Sequence, residues 1–245
     1  LIGGADITAN FRPGTMAISI GMLLSALAMT WHLVHFHYVK FNKESMYEVS
    51  KKIILLCIPL LLSAQFIAGI LNEALDLTDT NQELFISMSH NIFGVLSIAI
   101  VVPILEEVLF RGAIEGHLLR KGWSPKWAIL VSALIFGIIH GNPAQIPFAF
   151  LIGLLFGWLY YRTGSLVPGI VGHIINNSFG AWTMFTATRE ELSQTTMETL
   201  GTTITYILLV LAIIVFIGMY LYLNKYLPKP TNIQVKAINE QDITI

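Results

Sequence analysis

Six side chains in this sequence have types and spacings that could do chemistry: Glu106, Glu107, Arg111, His140, His173 and Asn177. The first three belong to the run Val102-Pro103-Ile104-Leu105-Glu106-Glu107-Val108-Leu109-Phe110-Arg111, which is otherwise apolar. Glu107 and Arg111 are four residues apart, so a helix carries both on one face and they can pair. Glu106 points about 100° away and has no partner on its own helix. A carboxylate in that position can take a proton from water as a general base. The plainer alternative is a structural ion pair beside a second carboxylate that another helix caps. Phe136-Gly137-Ile138-Ile139-His140 places one imidazole at the end of an apolar run. His173-Ile174-Ile175-Asn176-Asn177 places His173 and Asn177 on one helix face. A lone buried histidine is usually a satisfied core residue. Three apolar segments that each carry polar groups are different, because every such group needs a partner away from lipid. Convergence on one hydrated pocket satisfies them together. There Glu106, His140, His173 and Asn177 can activate water and donate hydrogen bonds to a developing oxyanion.

The elements that must position these residues are seven apolar segments, at about 14–38, 53–71, 92–116, 127–141, 146–161, 166–187 and 203–223. Of the 245 residues 55% are apolar and 12% are charged. A soluble domain carries about 25% charge, so this composition cannot coat a water-exposed surface. It predicts an all-α fold, a polytopic transmembrane helical bundle of seven or eight spans. Residues 1–224 would form one integral membrane domain with its core at about 92–187, followed by a polar cytoplasmic tail, 225–245. The fourth and fifth segments are short and contain Gly or Pro, which predicts interior helices. A re-entrant helix within 72–90 would supply an eighth element. The first segment lacks a basic start and is too long for a cleavable signal peptide.

Lys and Arg positions predict orientation. All but three of the 14 cations fall on one side: Lys40, Lys43, Lys51 and Lys52, then Arg120, Lys121 and Lys126, then Arg162, then Lys225, Lys229 and Lys236. Arg12 and Arg189 lie opposite and Arg111 is within a segment. The expected arrangement has the N-terminus outside and the C-terminus in the cytoplasm of a bacterial cell. By residue count Glu106 and His173 then lie toward the inner leaflet, whereas His140 falls nearer the outer end.

Several function classes are excluded. A net charge of -1 leaves no basic groove for nucleic acid. There is no nucleotide-binding G-x-x-x-x-G-K-[ST] loop, no H-E-x-x-H metal helix and no G-x-S-x-G elbow. No Asp lies in an apolar segment, so an aspartyl dyad cannot form. The single cysteine, Cys57, allows no intrachain disulfide.

The order E-E-x-x-x-R, F-x-x-x-H, H-x-x-x-N, carried here by Glu106, Glu107 and Arg111, by Phe136 and His140, and by His173 and Asn177, resembles the CPBP family. These are the CAAX-protease and bacteriocin-processing (Abi) proteins, related to Rce1-type prenyl-protein endopeptidases. The resemblance covers about residues 92–187. It implies an intramembrane protease in which Glu106 activates water with help from His140, and His173 and Asn177 form an oxyanion site. Glu107, Arg111 and Phe136 would be supporting residues. The family has been classed both as metallo- and as glutamic proteases. Glu106, His140 and His173 could hold a zinc ion with an open water position. A metal-free site is favoured slightly, because Glu106 serves poorly as both ligand and base. The implied partners are the lipid bilayer and a hydrophobic, lipid-modified or membrane-bound precursor peptide. Two rivals stay open: a non-catalytic bacteriocin-immunity or scaffold protein of the same fold, and a Glu/His proton relay in a transporter.

Three G-x-x-x-G pairs, Gly112/Gly116, Gly137/Gly141 and Gly153/Gly157, read as close packing within the bundle. Glu115 and His117 are expected at the inner membrane edge, without chemistry.

Overall fold

In a computed structural model, which describes residues 14–39 and 49–227, every regular element is a helix. Arg12, Lys40, Lys43, Lys229, Lys236 and the tail beyond residue 227 lie outside the described residues. The helices are α1 (Thr15–His35), α2 (Lys51–Leu75), α3 (Gln82–Ser89), α4 (Ile92–Arg120) and α5 (Pro125–Ile139). They continue with α6 (Ile146–Thr163), α7 (Val167–Thr186), the short α8 (Arg189–Ser193) and α9 (Thr196–Leu200), and α10 (Thr202–Tyr226).

Each of the seven expected segments falls on one of these helices. Five of them, α1, α2, α4, α6 and α10, are long and apolar enough to cross a membrane. The protein is therefore an all-helical integral membrane protein. Of the other two, α5 has 15 residues, and α7 has 20 but carries His173, Asn176 and Asn177. The stretch 72–90 does contain an extra helix, α3, of eight residues.

Local chemistry sets the boundaries. Ser50 and Asn91 accept hydrogen bonds from the first-turn amides of Ile53 and Gly94. Prolines lie in the first turns of α5, α6 and α7, where a missing N–H is harmless. Gly164, at φ 65°, takes the left-handed conformation that ends α6.

Burial separates core helices from lipid-facing ones. Half of the apolar window of α6 is buried in the protein, against 11% for α10. Cys57, Leu60 and Leu61 of α2, Phe156 and Leu159 of α6 and Leu223 of α10 form one apolar core. Trp31, Leu55, Ile214 and Leu221 point outward, as hydrocarbon contact requires. The expectation of an interior fifth segment holds for α6. For the fourth it is corrected: α5 buries Ala128, Ser132, Ala133 and Phe136 but exposes Leu134, Ile135, Ile138 and Ile139. A short helix at the rim covers the core with one face only.

Helix α4 departs twice from α-helical winding, with π-helical turns at Ser97–Val101 and Glu107–Glu115. Such turns free backbone groups and gather at functional sites. In the first, the Val102 N–H reaches back to the Ser97 carbonyl. The next π-type donor to the Ile98 carbonyl would be Pro103, which has no N–H. The Ile98 carbonyl is thus left for a side chain from another helix.

Candidate active site

Glu106 and Glu107 stand at the start of the second π turn, in mid-bundle. The Glu106 Oε2 atom lies 3.4 Å from His173 Nε2. The other ring nitrogen, His173 Nδ1, lies 3.1 Å from Glu107 Oε1. The same Oε1 is 3.1 Å from Arg111 Nη1, with both side chains fully buried. His173, on α7, is therefore held between the two adjacent carboxylates of α4. The pairing of Glu107 with Arg111 is as expected; its contact with His173 was not. Glu107 fixes the imidazole as well as neutralising Arg111.

Proton positions follow from the partners. Glu107, paired with Arg111, accepts, so His173 donates from Nδ1 and its Nε2 faces Glu106. His140 Nδ1 is 2.7 Å from the Phe136 carbonyl, which can only accept. His140 therefore also donates from Nδ1 and keeps Nε2 for the cavity. Phe136 sits under the cluster: its ring meets His140 edge-on at 4.9 Å and His173 at 5.8 Å. The Arg111 guanidinium lies 4.5 Å over the same ring, and its Nη2 donates to the Gly153 carbonyl at 3.1 Å.

Asn177 completes the set from α7. Its Nδ2 donates to the Ile98 carbonyl at 2.9 Å, the group left free by Pro103. Its Oδ1 accepts from Asn176 Nδ2 at 3.0 Å. One Asn177 N–H is thus spent on the scaffold and one is left to donate.

Glu106, His140, His173, Asn176 and Asn177 line one cavity of about 330 Å³, whose other walls are mainly apolar, among them Met22, Phe85, Ile98, Phe148, Ile152 and Met184. The four expected catalytic residues share it. Gln145 and Asn176 also line it and were not anticipated. An Asn beside Asn177 carries no spacing signal, and Gln145 lies in a connection.

The cavity lies toward the end of the bundle where three connections meet. There Asn142 binds Asp79 and Thr80, Arg189 pairs with Glu83, and Glu73 holds Thr196. Among the described residues this is the cation-poor end of the bundle. His140 at the end of α5 faces the same space, which removes the conflict that residue counting along straight helices created.

Glu115, expected at the membrane edge, has a fully buried side chain. Its four-residue spacing from Arg111 was the available signal. For a metal ion, Glu106, His140 and His173 were the candidate ligands. Among the described residues no three His, Cys, Asp or Glu side chains form a group that could hold one.

Comparison with known proteins covers this same region. Residues 88–179 match the family described as type II CAAX prenyl endopeptidase Rce1-like. That match runs across α4, α5, α6 and most of α7, which contribute Glu106, His140, His173 and Asn177 to the cavity. Over 81 residues it is 38% identical to the protein named "Putative membrane peptidase YdiL" of Bacillus subtilis (strain 168), covering 33% of each chain. Over 106 residues it is 33% identical to the "Membrane-embedded CAAX protease MroQ" of Staphylococcus aureus (strain USA300), covering 41% of this chain and 42% of that one. It is 28% identical over 122 residues to "UPF0177 protein YxdF" of Lactococcus lactis subsp. lactis (strain IL1403), covering 49% of this chain and 63% of that one. The matches thus span between a third and under two-thirds of these relatives' lengths. No solved structure matches. Two of these three relatives bear names of membrane peptidases or proteases.

Proposed function

We propose that this protein is an intramembrane endopeptidase that cleaves hydrophobic, lipid-modified or membrane-bound precursor peptides with a water activated by Glu106. The observation that carries this reading is the position of the Glu106 carboxylate, 3.4 Å from His173 Nε2 in a cavity that is otherwise mainly apolar. With His173 protonated, Glu106 is an ionised base. Glu106 takes a proton from water, and the water oxygen bonds to the scissile carbonyl carbon. The resulting oxyanion receives hydrogen bonds from the free Asn177 N–H and, when protonated, from His140 Nε2. Collapse breaks the C–N bond, and Glu106 returns its proton to the leaving amine. His173, held by Glu107, balances the charge on Glu106 throughout.

In this reading water activation needs no metal, since Glu106 is the base and not a ligand. The apolar walls accept an apolar stretch of chain, and the bilayer supplies it laterally. With the Lys- and Arg-rich loops in the cytoplasm, the cavity opens toward the outer half of a bacterial membrane. Secreted or membrane-tethered peptides are then the substrates to seek.

The test compares membrane and secreted peptides from cells carrying either the unaltered chain or Glu106→Gln at matched abundance. A peptide product seen only with the unaltered chain is the expected result, and it identifies substrate and cut together. Identical peptide sets, where the protein still has a phenotype, would overturn the proteolytic reading in favour of a scaffold or immunity role. Treatment with a chelator is expected to leave cleavage unchanged.

A further inference from the structure

Helix α7 carries a polar side chain in the cavity that the reaction above does not use. Asn176 lies three residues after His173 and one before Asn177. Positions three and four residues on share a helix face with His173, and all three side chains line the cavity. Adjacent positions are different, because their side chains leave the helix about 100° apart. Helical periodicity alone therefore does not bring Asn176 onto Asn177. Its Nδ2 nonetheless stands 3.0 Å from Asn177 Oδ1. Short amide side chains within helices commonly turn back to their own backbone. Asn176 does not, and the bond to Asn177 is its one side-chain hydrogen bond among the described residues.

The sense of this bond is fixed from outside the pair. A backbone carbonyl can only accept, so Asn177 turns its nitrogen to the Ile98 carbonyl, at 2.9 Å. Its Oδ1 is then an acceptor, and the group 3.0 Å away from that oxygen must be a donor. Both amides are thereby oriented in turn, Asn176 donating to Asn177 and Asn177 to Ile98. The order begins at Pro103, which lacks the N–H that would otherwise take up the Ile98 carbonyl.

We infer that Asn176 is a positioning residue: it holds the Asn177 amide by its oxygen, so that the N–H not spent on Ile98 stays turned to the oxyanion. This rests on the proteolytic reading of the site. An oxyanion beside Asn177 meets an amide with two unlike ends. The N–H attracts it, whereas Oδ1 carries partial negative charge and repels it. Donation from Asn176 occupies that oxygen and resists rotation of the amide. It also draws electron density toward Oδ1, which makes the remaining N–H a stronger donor. Asn176 does this without touching the substrate. Because the oxyanion forms only as the reaction proceeds, loss of the bond falls on kcat and not on KM.

The test compares Asn176→Leu, which keeps size but removes the donor, with Asn176→Gln, which keeps an amide donor, in the full chain in lipid nanodiscs. An internally quenched apolar peptide, spanning the cut found in the peptide comparison, reports turnover. The carbon-13 resonance of Asn177 Cγ, assigned by its loss in Asn177→Ala, reports the hydrogen bond to its oxygen. In Asn176→Leu kcat is expected to fall about tenfold, the size of a coupling between two contacting residues. KM should be unchanged, and the Cγ resonance should move upfield. Asn176→Gln should bring kcat and the resonance back toward those of the unaltered chain. The two losses should not multiply, so Asn176→Leu combined with Asn177→Ala should match Asn177→Ala alone. A Cγ resonance that stays in place, or moves equally in the Leu and Gln variants, overturns the inference. So does a further tenfold fall in the combined variant, since Asn176 would then act without Asn177. If Asn176→Leu does not accumulate, Asn176→Ala takes its place under the same criteria. A Cγ resonance that moves as expected in a chain that cuts no peptide would instead overturn the proteolytic reading and leave the Asn176–Asn177 bond standing.

Discussion

Two Glu–Arg pairs in this protein join the same residue types in opposite surroundings. Glu107 and Arg111 meet in mid-bundle with side chains 1% exposed, whereas Glu83 and Arg189 meet between α3 and α8 with side chains 69% exposed. At the rim, water solvates either partner alone and salt screens the attraction, so the pair contributes little. In the interior neither charge has water to fall back on. Each partner makes the other tolerable, and losing one strands the other. The exposed pair therefore ties two surface elements together, while the buried pair is costly to break by removing one partner. That pair also contacts His173 through Glu107, so the same carboxylate that neutralises Arg111 orients the proposed catalytic group.

The comparison can be broken most sharply at Arg111. Arg111→Ala leaves Glu107 buried without its cation and is expected to cost about 3–5 kcal/mol, read as a large fall in the folded protein recovered from membranes. Arg189→Ala, its exposed counterpart, should leave recovery unchanged. Equal losses from the two variants would sink the distinction. Gly169→Ala tests the space around the buried pair without touching a charge. A Cβ there meets Glu107 Oε2 at 2.5 Å, and overpacking of this kind costs about 1–3 kcal/mol. Peptide cleavage should fall more than folded recovery, because the carboxylate that must move is the one holding His173. A loss in recovery alone would mean that Glu107 does not govern turnover.

The smallest effect lies at the exposed end and depends on pH. Hydrogen bonding from Arg189 holds the Glu83 carboxyl below its usual range. The Thr188 and Thr195 backbone N–H groups, helped by their hydroxyls, do the same for Glu191 and Glu198 in their capping boxes. A lowered folded-state pKa means stability that is present above the unfolded value, about 4.3, and is lost as pH falls through the folded value. Amide protection across residues 188–200, taken relative to the intrinsic exchange rate at each pH, should fall as pH drops below about 4, with the α4 amides of 107–115 still protected. Uniform exchange behaviour in both regions would remove the contrast between them.

Much of this arrangement is legible in the residues. The apolar segments mark the helices because a chain this poor in charge has to satisfy its backbone internally, and in lipid only helices or closed barrels do so. The polar residues left within those segments mark the site, since each needs a partner and the partners available are one another. The i, i+4 spacing announces the Glu107–Arg111 pair. Glu115 has the same spacing from Arg111, yet that spacing alone does not show how deeply it is buried. Its burial depends on Gly157 and Tyr160, which belong to another helix.

By itself the sequence determines the helical membrane architecture and which polar side chains must converge, because period, polarity and helix spacing are properties of neighbours along the chain. Only the tertiary structure decides that His173 lies between Glu106 and Glu107, that Asn177 spends one N–H on the carbonyl left free before Pro103, and that the cavity lies toward the cation-poor end. Those outcomes depend on how α4, α6 and α7 tilt and seat against each other. No single segment encodes that geometry, since it is set by where glycines let charged groups fit and where a π turn rotates one carboxylate past the next.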